Sequence, residues 1–416
     1  MSPTHTVAVR CGRFLDVVSG DLSSDVVVLV DGERVVDVRA DGPTAVPSGV
    51  RVLDASDCTV IPGLVDLHTH LVGRVDGASY AEAATRSGAD DALLGVRNAH
   101  ATLQAGFTSV RDVGTFRAFV DVSLRRAIDA GWVAGPRMRC AGGYVTCTGG
   151  GGEVTGWAPD VELPPDFRLG VADSVDEVRR AVRRLLAGGA DLVKVIATGA
   201  VLAPGTAPGA PELSEEEICA AVAEAALRGA PVAAHAHGAE GVKRAVRAGV
   251  RSVEHGSLAD EEALGLMAEH GTYLVADVWN GDWIAETGAR DGWPADTLQK
   301  NSDTTQAQRD AFSRAVQLGV RIGYGTDAGV YPHGMNAQQL PVMVRLGLTP
   351  VDALRSATLW AADCLGDPQV GVLEPGRYAD LVAVAGHDLS DLSGLGTDVR
   401  LVMKGGEVVR DDDGRN

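Results

Sequence analysis

The stretch Ile61-Pro-Gly-Leu-Val-Asp-Leu-His-Thr-His70 decides the fold, because an apolar run ends there in two histidines one residue apart. In a strand, residues i and i+2 point to the same face, so His68 and His70 can bind one metal ion together. The apolar residues before them, Leu64, Val65 and Leu67, predict a buried strand with the pair at its carboxyl end. Parallel α/β barrels keep their chemistry at that end. Taken alone, the pair also fits two polar residues at the end of a strand.

The composition is that of a globular protein. The chain has 416 residues, enough for two structural units, of which 45% are hydrophobic and 22% are charged. The net charge of -19 argues against nucleic acid or anionic membranes as partners, because both require a basic surface. No apolar run reaches the roughly 18 residues of a membrane span, and the N-terminus has no secretory signal pattern. With six scattered cysteines, these features predict a cytoplasmic protein that acts on a small molecule, and we also expect a homo-oligomer.

Short apolar segments separated by turns fill residues 6–62 and predict β-strands. The candidates are Val7–Val9, Asp25–Val30, Arg34–Arg39, Arg51–Asp54 and Thr59–Ile61. Asp31-Gly32 fits the tight turn of a hairpin. Further strand candidates near the end of the chain are Asp380–Ala385, Val399–Lys404 and Glu407–Arg410. We therefore predict that residues 1–62 and 366–416 together build one small β-sandwich domain.

Between residues 63 and 365, short apolar runs alternate with helical stretches, which is the βαβ pattern of a parallel sheet. The eight strand candidates are Leu64–His68, Thr108–Asp112, Arg137–Ala141, Leu192–Ala197, Val232–His235, Ser252–His255, Thr272–Ala276 and Arg321–Thr326. Helix candidates include Ser174–Ala187, Ser214–Arg228, Ala239–Ala248, Asp260–Glu269 and Thr304–Leu318. Ser214 and Glu217 offer a capping box. These elements predict an α/β fold in which residues 63–365 form a (β/α)8 TIM-like barrel.

Side chains that can bind a metal occur at five of these strands, and a barrel would bring them to one rim. They are His68 and His70 at the first strand, Lys194 at the fourth, His235 and His237 at the fifth, His255 at the sixth and Asp327 at the eighth. Nitrogen and oxygen ligands of this kind suit zinc best, while manganese, iron, cobalt and nickel also fit.

Lys194 is unusual, because burial in an apolar strand disfavours the charged form of a lysine. Its amine can reach solvent or pair with a carboxylate. A neutral amine can also take up carbon dioxide to become a carbamate, whose two oxygens can bridge two divalent cations. Two metals roughly 3.5–4 Å apart lower the pKa of a bridging water and polarise a carbonyl or phosphoryl oxygen. Asp327 would then bind one metal, take the proton from the bridging hydroxide and deliver it to the leaving group.

The combined motifs resemble those of the amidohydrolase superfamily. They are Pro62-Gly-Leu-Val-Asp-Leu-His-Thr-His70, Lys194, His235, His255 and Asp327, with Ala357–Ala362 and Gly371–Val382 resembling the family's return into its β domain. The most similar branch contains binuclear, carboxylated-lysine enzymes grouped with Xaa-Pro dipeptidases (prolidases), carboxypeptidase-like members and ochratoxin-hydrolysing amidases.

The resemblance implies a role for each candidate ligand. His68, His70 and Asp327 would bind the more buried metal, His235 and His255 the second, and a carboxylated Lys194 would bridge them. His237, one pleat beyond His235, is then a candidate to hydrogen-bond the carbonyl or the carboxylate of the substrate. A rim histidine without a role is the alternative for His237.

The loop after the third strand departs from the family pattern. Prolidase-like relatives tend to carry Thr-Gly-Gly-His there, and this chain has Gly151 where the histidine would fall. Dipeptide specificity is therefore an open question, and the four glycines predict a mobile loop over the site. Other residues on predicted loops can line a substrate pocket, although packing or surface roles fit them equally: Tyr144, Trp157, Tyr331 and His333. We interpret Arg111 and Asp112 as a structural ion pair.

The remaining histidines lie on helices facing solvent or outside the barrel, and we assign no function to them: His5, His100, His270 and His387.

The sequence predicts a metal-dependent hydrolase that cleaves the C–N bond of a dipeptide, an N-acyl amino acid or a related small amide. A first alternative is a one-metal enzyme acting on a cyclic amide or imine, similar to imidazolonepropionase or a deaminase. Lys194 argues against it, since such enzymes need no bridging carbamate. A second alternative is a phosphotriester or lactone hydrolase that uses the same metal pair. A third is a non-catalytic protein, and the full set of metal ligands argues against it.

Overall fold

The computed structural model describes residues 7–73, 80–158, 160–386, 389–390 and 392–414. The strands among them are β1 (Val7–Leu15), β2 (Leu22–Asp31), β3 (Arg34–Ala40), β4 (Arg51–Pro62), β5 (Leu64–Thr69), β6 (Phe107–Asp112), β7 (Arg137–Cys140), β8 (Tyr144–Val145), β9 (Val193–Ile196), β10 (Val232–Gly238), β11 (Ser252–Leu258), β12 (Tyr273–Ala276), β13 (Arg321–Tyr324), β14 (Leu381–Ala385), β15 (Val399–Lys404) and β16 (Glu407–Asp411). The α-helices among them are α1 (Gly88–Gln104), α2 (Val120–Asp129), α3 (Val175–Gly188), α4 (Glu215–Ala226), α5 (Ala239–Ala248), α6 (Glu261–His270), α7 (Asn280–Asp291), α8 (Ala295–Gln317), α9 (Leu340–Arg345), α10 (Pro350–Ser356) and α11 (Leu359–Leu365).

Strands from both ends of the chain form one seven-stranded sheet, in the order β16-β15-β14-β4-β1-β2-β3. β2 and β3 form the predicted hairpin, in which Asp31 pairs with Arg34 and Gly32 adopts a left-handed φ of 53°. Consecutive residues of β1 enter different apolar clusters, since Val9 belongs to one and Ala8 to the other. Both faces of this sheet are therefore covered, as the period of two in a strand requires.

In this sheet, two strands that were predicted separately are one continuous strand. The segments Arg51–Asp54 and Thr59–Ile61, predicted as two strands, are both parts of β4. The pairing of β4 with β1 shifts its register after Ala55 and resumes at Thr59. A bulge thus absorbs the polar residues between the two apolar segments, so the apolar pattern is interrupted although the strand continues.

Two further sheets contain only parallel pairs, β5-β6-β7 and β13-β12-β11-β10-β9-β8. Every strand predicted between residues 63 and 365 is present, and helices connect successive strands except β7 and β8, which are separated by three residues. β10 and β11 extend further than predicted, through Gly238 and Leu258. The histidines of these two strands are therefore parts of the sheet itself, which fixes their backbone positions.

The two parallel sheets adjoin at both edges. β7 and β8 follow each other closely in the chain, and β7 pairs with β6 while β8 pairs with β9. At the other edge, the backbone N–H of Asp327 donates to the carbonyl of His68 at 2.8 Å, and that of His70 donates to the carbonyl of Ala328 at 2.8 Å. The carboxyl end of β5 therefore lies beside the segment after β13, and Asp327 is brought next to the histidine pair.

The helices follow their predicted positions, with one clear difference. α5 has the predicted bounds, and α4 begins with the predicted capping box of Ser214 and Glu217. α8 begins at Ala295 rather than at Thr304, directly after Pro294, which suits a helix start because its φ is fixed. The first turns of α8 bury polar side chains such as Lys300, so they lack the apolar periodicity that marks an amphipathic helix.

No helix in the described part of the chain is both long and apolar enough to cross a membrane. Two of the histidines to which no function was assigned, His100 and His270, are exposed on α1 and α6. The other two, His5 and His387, lie outside the described residues.

Candidate metal centre

A cleft at the carboxyl ends of the parallel strands collects the predicted ligands. It encloses about 780 Å³ including its open mouth. Its lining contains all the predicted metal ligands and His237, namely His68, His70, Lys194, His235, His237, His255 and Asp327. Residues more than 250 positions apart in the sequence thus share one site.

The first group of potential ligands consists of His68, His70 and Asp327. Nε2 of His68 and Nε2 of His70 lie 3.5 Å and 3.3 Å from Oδ1 of Asp327. Nδ1 of His68 lies 2.8 Å from Oε2 of Glu254, and Nδ1 of His70 lies 2.8 Å from the carbonyl oxygen of Gly114. Because these two oxygens accept hydrogen bonds, each Nδ1 carries a proton and each Nε2 keeps its lone pair for a metal.

The second group consists of His235, His237 and His255, whose ligand atoms lie within 4.8 Å of one another. Nδ1 of His255 donates to Oδ1 of Asp277 at 2.9 Å, and Nδ1 of His237 lies 2.9 Å from Oγ of Ser257. The rings of His68 and His255 have centroids 4.9 Å apart. The two groups are therefore neighbouring parts of one site.

Two of the predicted ligands have strained backbone conformations. His255 has a φ of 69° and Asp327 has a φ of 57°. Left-handed backbone is uncommon for residues other than glycine, and it persists where the surrounding structure enforces it. Such strain is common at functional sites in proteins, and two of the five non-glycine residues with positive φ in the described part of the chain face this cleft.

Lys194 also lines this cleft and is buried, with 2% of its surface exposed. Among the described residues, its Nζ has no hydrogen-bond partner. Burial lowers the pKa of Lys194 to about 8. A buried amine without a partner is destabilising in its charged form, so the neutral amine of Lys194 is accessible near neutral pH. The described residues around Lys194 offer its Nζ no hydrogen bond, which points to a partner that the protein chain does not supply.

The electrostatics of the histidines favour metal binding. Burial lowers the pKa values of His68, His235 and His237 well below the usual range, and the charges of neighbouring histidines and of Lys194 lower them further. Neutral imidazole is the form that binds a metal. His70 differs, because its burial, which lowers its pKa, is outweighed by the hydrogen bond and charge of Asp327 together with the charge of Asp112 and the carbonyl of Gly114, so its pKa is raised. Imidazole nitrogens, a carboxylate and an unpartnered amine in two adjoining groups form a donor set that fits divalent ions of the zinc type.

Comparison with known proteins identifies the family. The model of the amidohydrolase family matches residues 59–409. The chain belongs to the amidohydrolase family. Ochratoxinase from Aspergillus niger is 33% identical over 372 residues, which cover 84% of this chain and 75% of that protein. A Xaa-Pro dipeptidase with bound methionine in its active site has a TM-score of 0.89 at 36% identity, with coverage of 97% of this chain and 99% of the other.

A more distant relative is imidazolonepropionase from Symbiobacterium thermophilum, which is 26% identical over 404 residues, or 88% of this chain and 84% of that protein. The resemblance that the sequence motifs carry is thereby confirmed. This amidohydrolase is a hydrolase of the class that acts on carbon–nitrogen bonds.

The residues that hold the ligands of this amidohydrolase were missed at the level of sequence. Nδ2 of Asn280 donates to Oδ2 of Asp277 at 3.0 Å and to Oδ2 of Asp327 at 3.1 Å. Together with Glu254, which accepts from His68, these side chains fix the directions of the ligands. A sequence signal for one of them exists, because Asp277 directly follows β12 and so lies at a strand end like the predicted ligands.

The predicted ion pair between Arg111 and Asp112 is wrong. Arg111 instead donates from Nη2 to Oε1 of Glu254 at 2.7 Å, while Asp112 accepts the backbone N–H of Leu71 at 2.7 Å and that of Gly114 at 3.2 Å. The physical reason is the alternation of side chains in β6, which directs consecutive residues to opposite faces.

Besides His237, two of the residues predicted to contact substrate line the cleft of this amidohydrolase. The hydroxyl of Tyr144 donates to the carbonyl of Gly114 at 2.9 Å and lies 3.3 Å from Nδ1 of His70. Gly151 also lines the cleft, and its backbone N–H donates to Oε2 of Glu212 at 2.8 Å. The glycine-rich loop is thus attached to a carboxylate that follows β9, and its position depends on that hydrogen bond.

The structure does not bring the other rim candidates to the cleft. Nε2 of His333 lies 3.1 Å from the carbonyl oxygen of His70, and its Nδ1 lies 3.0 Å from Oγ1 of Thr102, so His333 lies behind the ligand rather than in front of it. Tyr331 is buried against the ring of Trp279, with centroids 4.7 Å apart. Trp157 packs in a separate apolar cluster. His333, Tyr331 and Trp157 therefore have packing roles and do not line the cleft.

Proposed function

We propose that this amidohydrolase cleaves an amide or peptide C–N bond of a small substrate, with two divalent metal ions, for which zinc is the favoured choice. The proposal rests on the environment of Lys194, whose buried Nζ has no hydrogen-bond partner among the described residues and faces a cleft lined by histidines. A carbamate formed from that amine would supply the anionic two-oxygen bridge that the cleft otherwise lacks. Dipeptides and N-acyl amino acids are the substrate classes we favour, in keeping with the similarity to a Xaa-Pro dipeptidase and to ochratoxinase.

Each residue of the centre then has a task. His68, His70 and Asp327 would hold one ion, His235 and His255 the second, and the carboxylated Lys194 would lie between them. Bound in this way, the ions would lower the pKa of a water molecule and polarise the carbonyl of the substrate.

Asp327 is the general base and acid in this scheme. Its Oδ1 faces the histidine pair, and its Oδ2 accepts from Asn280, so its orientation is fixed while one oxygen faces the cleft. It would accept the proton of the attacking water and pass it to the leaving nitrogen. His237, held by Ser257, would donate a hydrogen bond to the carbonyl of the substrate.

We also propose that β5 to β13 form one closed (β/α)8 barrel spanning residues 63–365, with residues 1–62 and 366–416 as the small β-sandwich domain. The hydrogen bonds between the end of β5 and the segment after β13 support closure, as does the continuity of β7 with β8. Closure explains why ligands from the first and eighth predicted strands share the cleft.

A metal count tests the binuclear centre. Wild-type protein loaded with zinc in bicarbonate and then desalted should contain two ions per chain, and Lys194→Ala should contain one or fewer. Lys300→Ala is the matched control, because Lys300 is a second buried lysine whose Nζ has carbonyl partners, and it should retain two ions. A carbamate carbon signal after labelling with 13C-bicarbonate should appear in wild type and be absent from Lys194→Ala. One ion per chain in wild type would contradict the proposal and favour the one-metal chemistry of enzymes such as imidazolonepropionase.

A substrate panel tests the reaction. The zinc-loaded protein is assayed on dipeptides and N-acyl amino acids, with a lactone and an aryl phosphotriester measured under the same conditions. We expect the highest kcat/KM on an amide. A higher kcat/KM on the lactone or the phosphotriester than on every amide would overturn the proposed bond specificity.

A further inference from the structure

One side of the cleft, between β9 and α7, is apolar. Ile196, Val201 and Leu202 line it from β9 and the following loop, and Ile284 lines it from α7. Leu202 packs with Ile284 in an apolar cluster that also contains Val330. We call the four lining residues Ile196, Val201, Leu202 and Ile284 the apolar wall. None of them is a candidate metal ligand, so the wall is available to a part of the substrate away from the reacting bond.

The loop that carries half of the apolar wall, residues 199–210, is held in place by hydrogen bonds. The backbone N–H of Ala200 donates to Oγ1 of Thr206 at 3.1 Å. Nζ of Lys300 on α8 donates to the carbonyl of Ala203 at 2.8 Å and to that of Thr206 at 3.4 Å. Lys300 is only 8% exposed, and burying a charged amine is unfavourable unless hydrogen bonds compensate for it. The position of the apolar wall therefore depends on a buried lysine that contacts this loop.

The polar residues that α8 presents to the cleft are satisfied within the protein. Nδ2 of Asn301 donates to the carbonyl of Gly281 at 2.9 Å. The hydroxyl of Thr304 donates to the carbonyl of Lys300 at 2.8 Å, and that of Thr305 donates to the carbonyl of Asn301 at 2.7 Å. These hydroxyl protons and the amide group are already used, so this part of the cleft offers a neutral surface and no charged partner.

Charge selects against a carboxylate on the apolar wall. Among the described residues that line the cleft, Lys194 is the one lysine, and no arginine is present. The chain as a whole carries a net charge of -19. A carboxylate that left water to lie against the wall would lose its hydration without gaining a cation, whereas an alkyl or aryl group would gain from leaving water.

We propose that the apolar wall is a binding subsite for an uncharged aliphatic or aryl group on one half of the amide substrate. This inference rests on the proposed function, since it names the substrate class for the same centre. It follows that Leu202 determines specificity by contact, and that Lys300 is a positioning residue that acts through the loop.

Four amides of matched length test the subsite. They combine a pentanoyl or a glutaryl acyl group with n-propylamine or β-alanine, so each half carries either a methyl end or a carboxylate. With zinc-loaded wild type, we expect a carboxylate in one of the two halves to lower kcat/KM by about tenfold or more. If a dipeptide or an N-acyl amino acid is turned over and none of the four is, the same exchange of end groups is made on that substrate.

Variants connect the preference to the wall. Leu202→Arg should reverse the preference in the same half of the substrate, whereas Leu93→Arg, which adds the same charge at a leucine 71% exposed on α1, should retain it. Lys300→Met should raise KM for the apolar substrate while the metal content stays at two ions per chain. Turnover without a preference in either half would overturn the inference, as would a preference that Leu202→Arg leaves unchanged. Failure of the proposed function is distinguishable, because the metal-loaded protein would then turn over no amide of either panel.

Discussion

Replacing Glu254 by glutamine tests how the structure holds His68. Glu254 is fully buried, and its carboxylate accepts three hydrogen bonds. They come from Nδ1 of His68 at 2.8 Å, from Nη2 of Arg111 at 2.7 Å and from Oγ of Ser252 at 2.6 Å. Glutamine has the same shape but no charge, and its side chain offers one oxygen and one NH2 group. It cannot accept from all three donors, and its NH2 group must face at least one of them.

The expected magnitude follows from these contacts. Removing one partner of a buried ion pair costs about 3–5 kcal/mol, because the remaining charge stays buried. Arg111 retains two other acceptors, the carbonyl of Leu67 and Oγ of Ser252, so we expect the lower end of that range. The free energy of unfolding of the metal-free protein should therefore fall by about 3 kcal/mol. Loss of the acceptor behind a metal-binding histidine should also weaken metal binding by about 10–100-fold.

Two measurements separate the contributions of Glu254. Urea unfolding of chelator-treated protein gives the stability, and competition with a chromophoric chelator gives the metal dissociation constant. Glu240→Gln is the matched control, because Glu240 forms an exposed pair with Arg244 on α5, and both quantities should stay near their wild-type values. Wild-type metal affinity in Glu254→Gln would refute the reasoning even if the stability falls, since Glu254 would then be a structural residue alone.

Three further substitutions test other parts of the site. Asp277→Asn removes the charged acceptor of His255 and should reduce the metal content after dialysis toward one ion per chain, so a retained content of two would contradict the role of Asp277. Burial lowers the pKa of His333 from 6.5 to about 4, so its stabilising contribution is complete above pH 6.5 and is lost as the pH falls toward 4. Between pH 7 and pH 5, wild type should lose about 2 kcal/mol more unfolding free energy than His333→Asn, and equal pH dependence in urea unfolding would argue against this. Gly152→Ala would place a Cβ 2.8 Å from Cγ1 of Ile196, so thermal unfolding should show a loss of about 1–3 kcal/mol, and an unchanged melting temperature would mean that the loop has room to adjust.

The parts of the centre that follow from strand periodicity could be predicted from the sequence. The alternation of β5 placed His68 and His70 on one face, and the resemblance to a known family linked them to Lys194 and Asp327. The structure places these residues in one cleft. They lie together because each of these side chains belongs to a strand or lies within three residues of the end of one.

Loop residues could not be predicted in the same way. The sequence indicated that His333 follows a strand end, but nothing in it gives the direction in which the loop returns. In the structure that loop passes behind His70, and both ring nitrogens of His333 are used there. The start of α8 was missed for a related reason, because its first turns bury polar side chains against the cleft and so hide the helical period.

β11 contains the clearest limit of the periodicity argument. Glu254 and His255 are consecutive, so alternation would direct them to opposite faces and assign only one of them to the site. Both act in it, because His255 has a φ of 69° and leaves the extended conformation. Glu254 reaches Nδ1 of His68, while His255 faces the cleft and donates to Asp277. Asp327 leaves the extended conformation in the same way after β13, with a φ of 57°. Alternation therefore predicts ligands up to the last extended residue of a strand, and beyond it the hydrogen bonds of neighbouring strands decide where a side chain points.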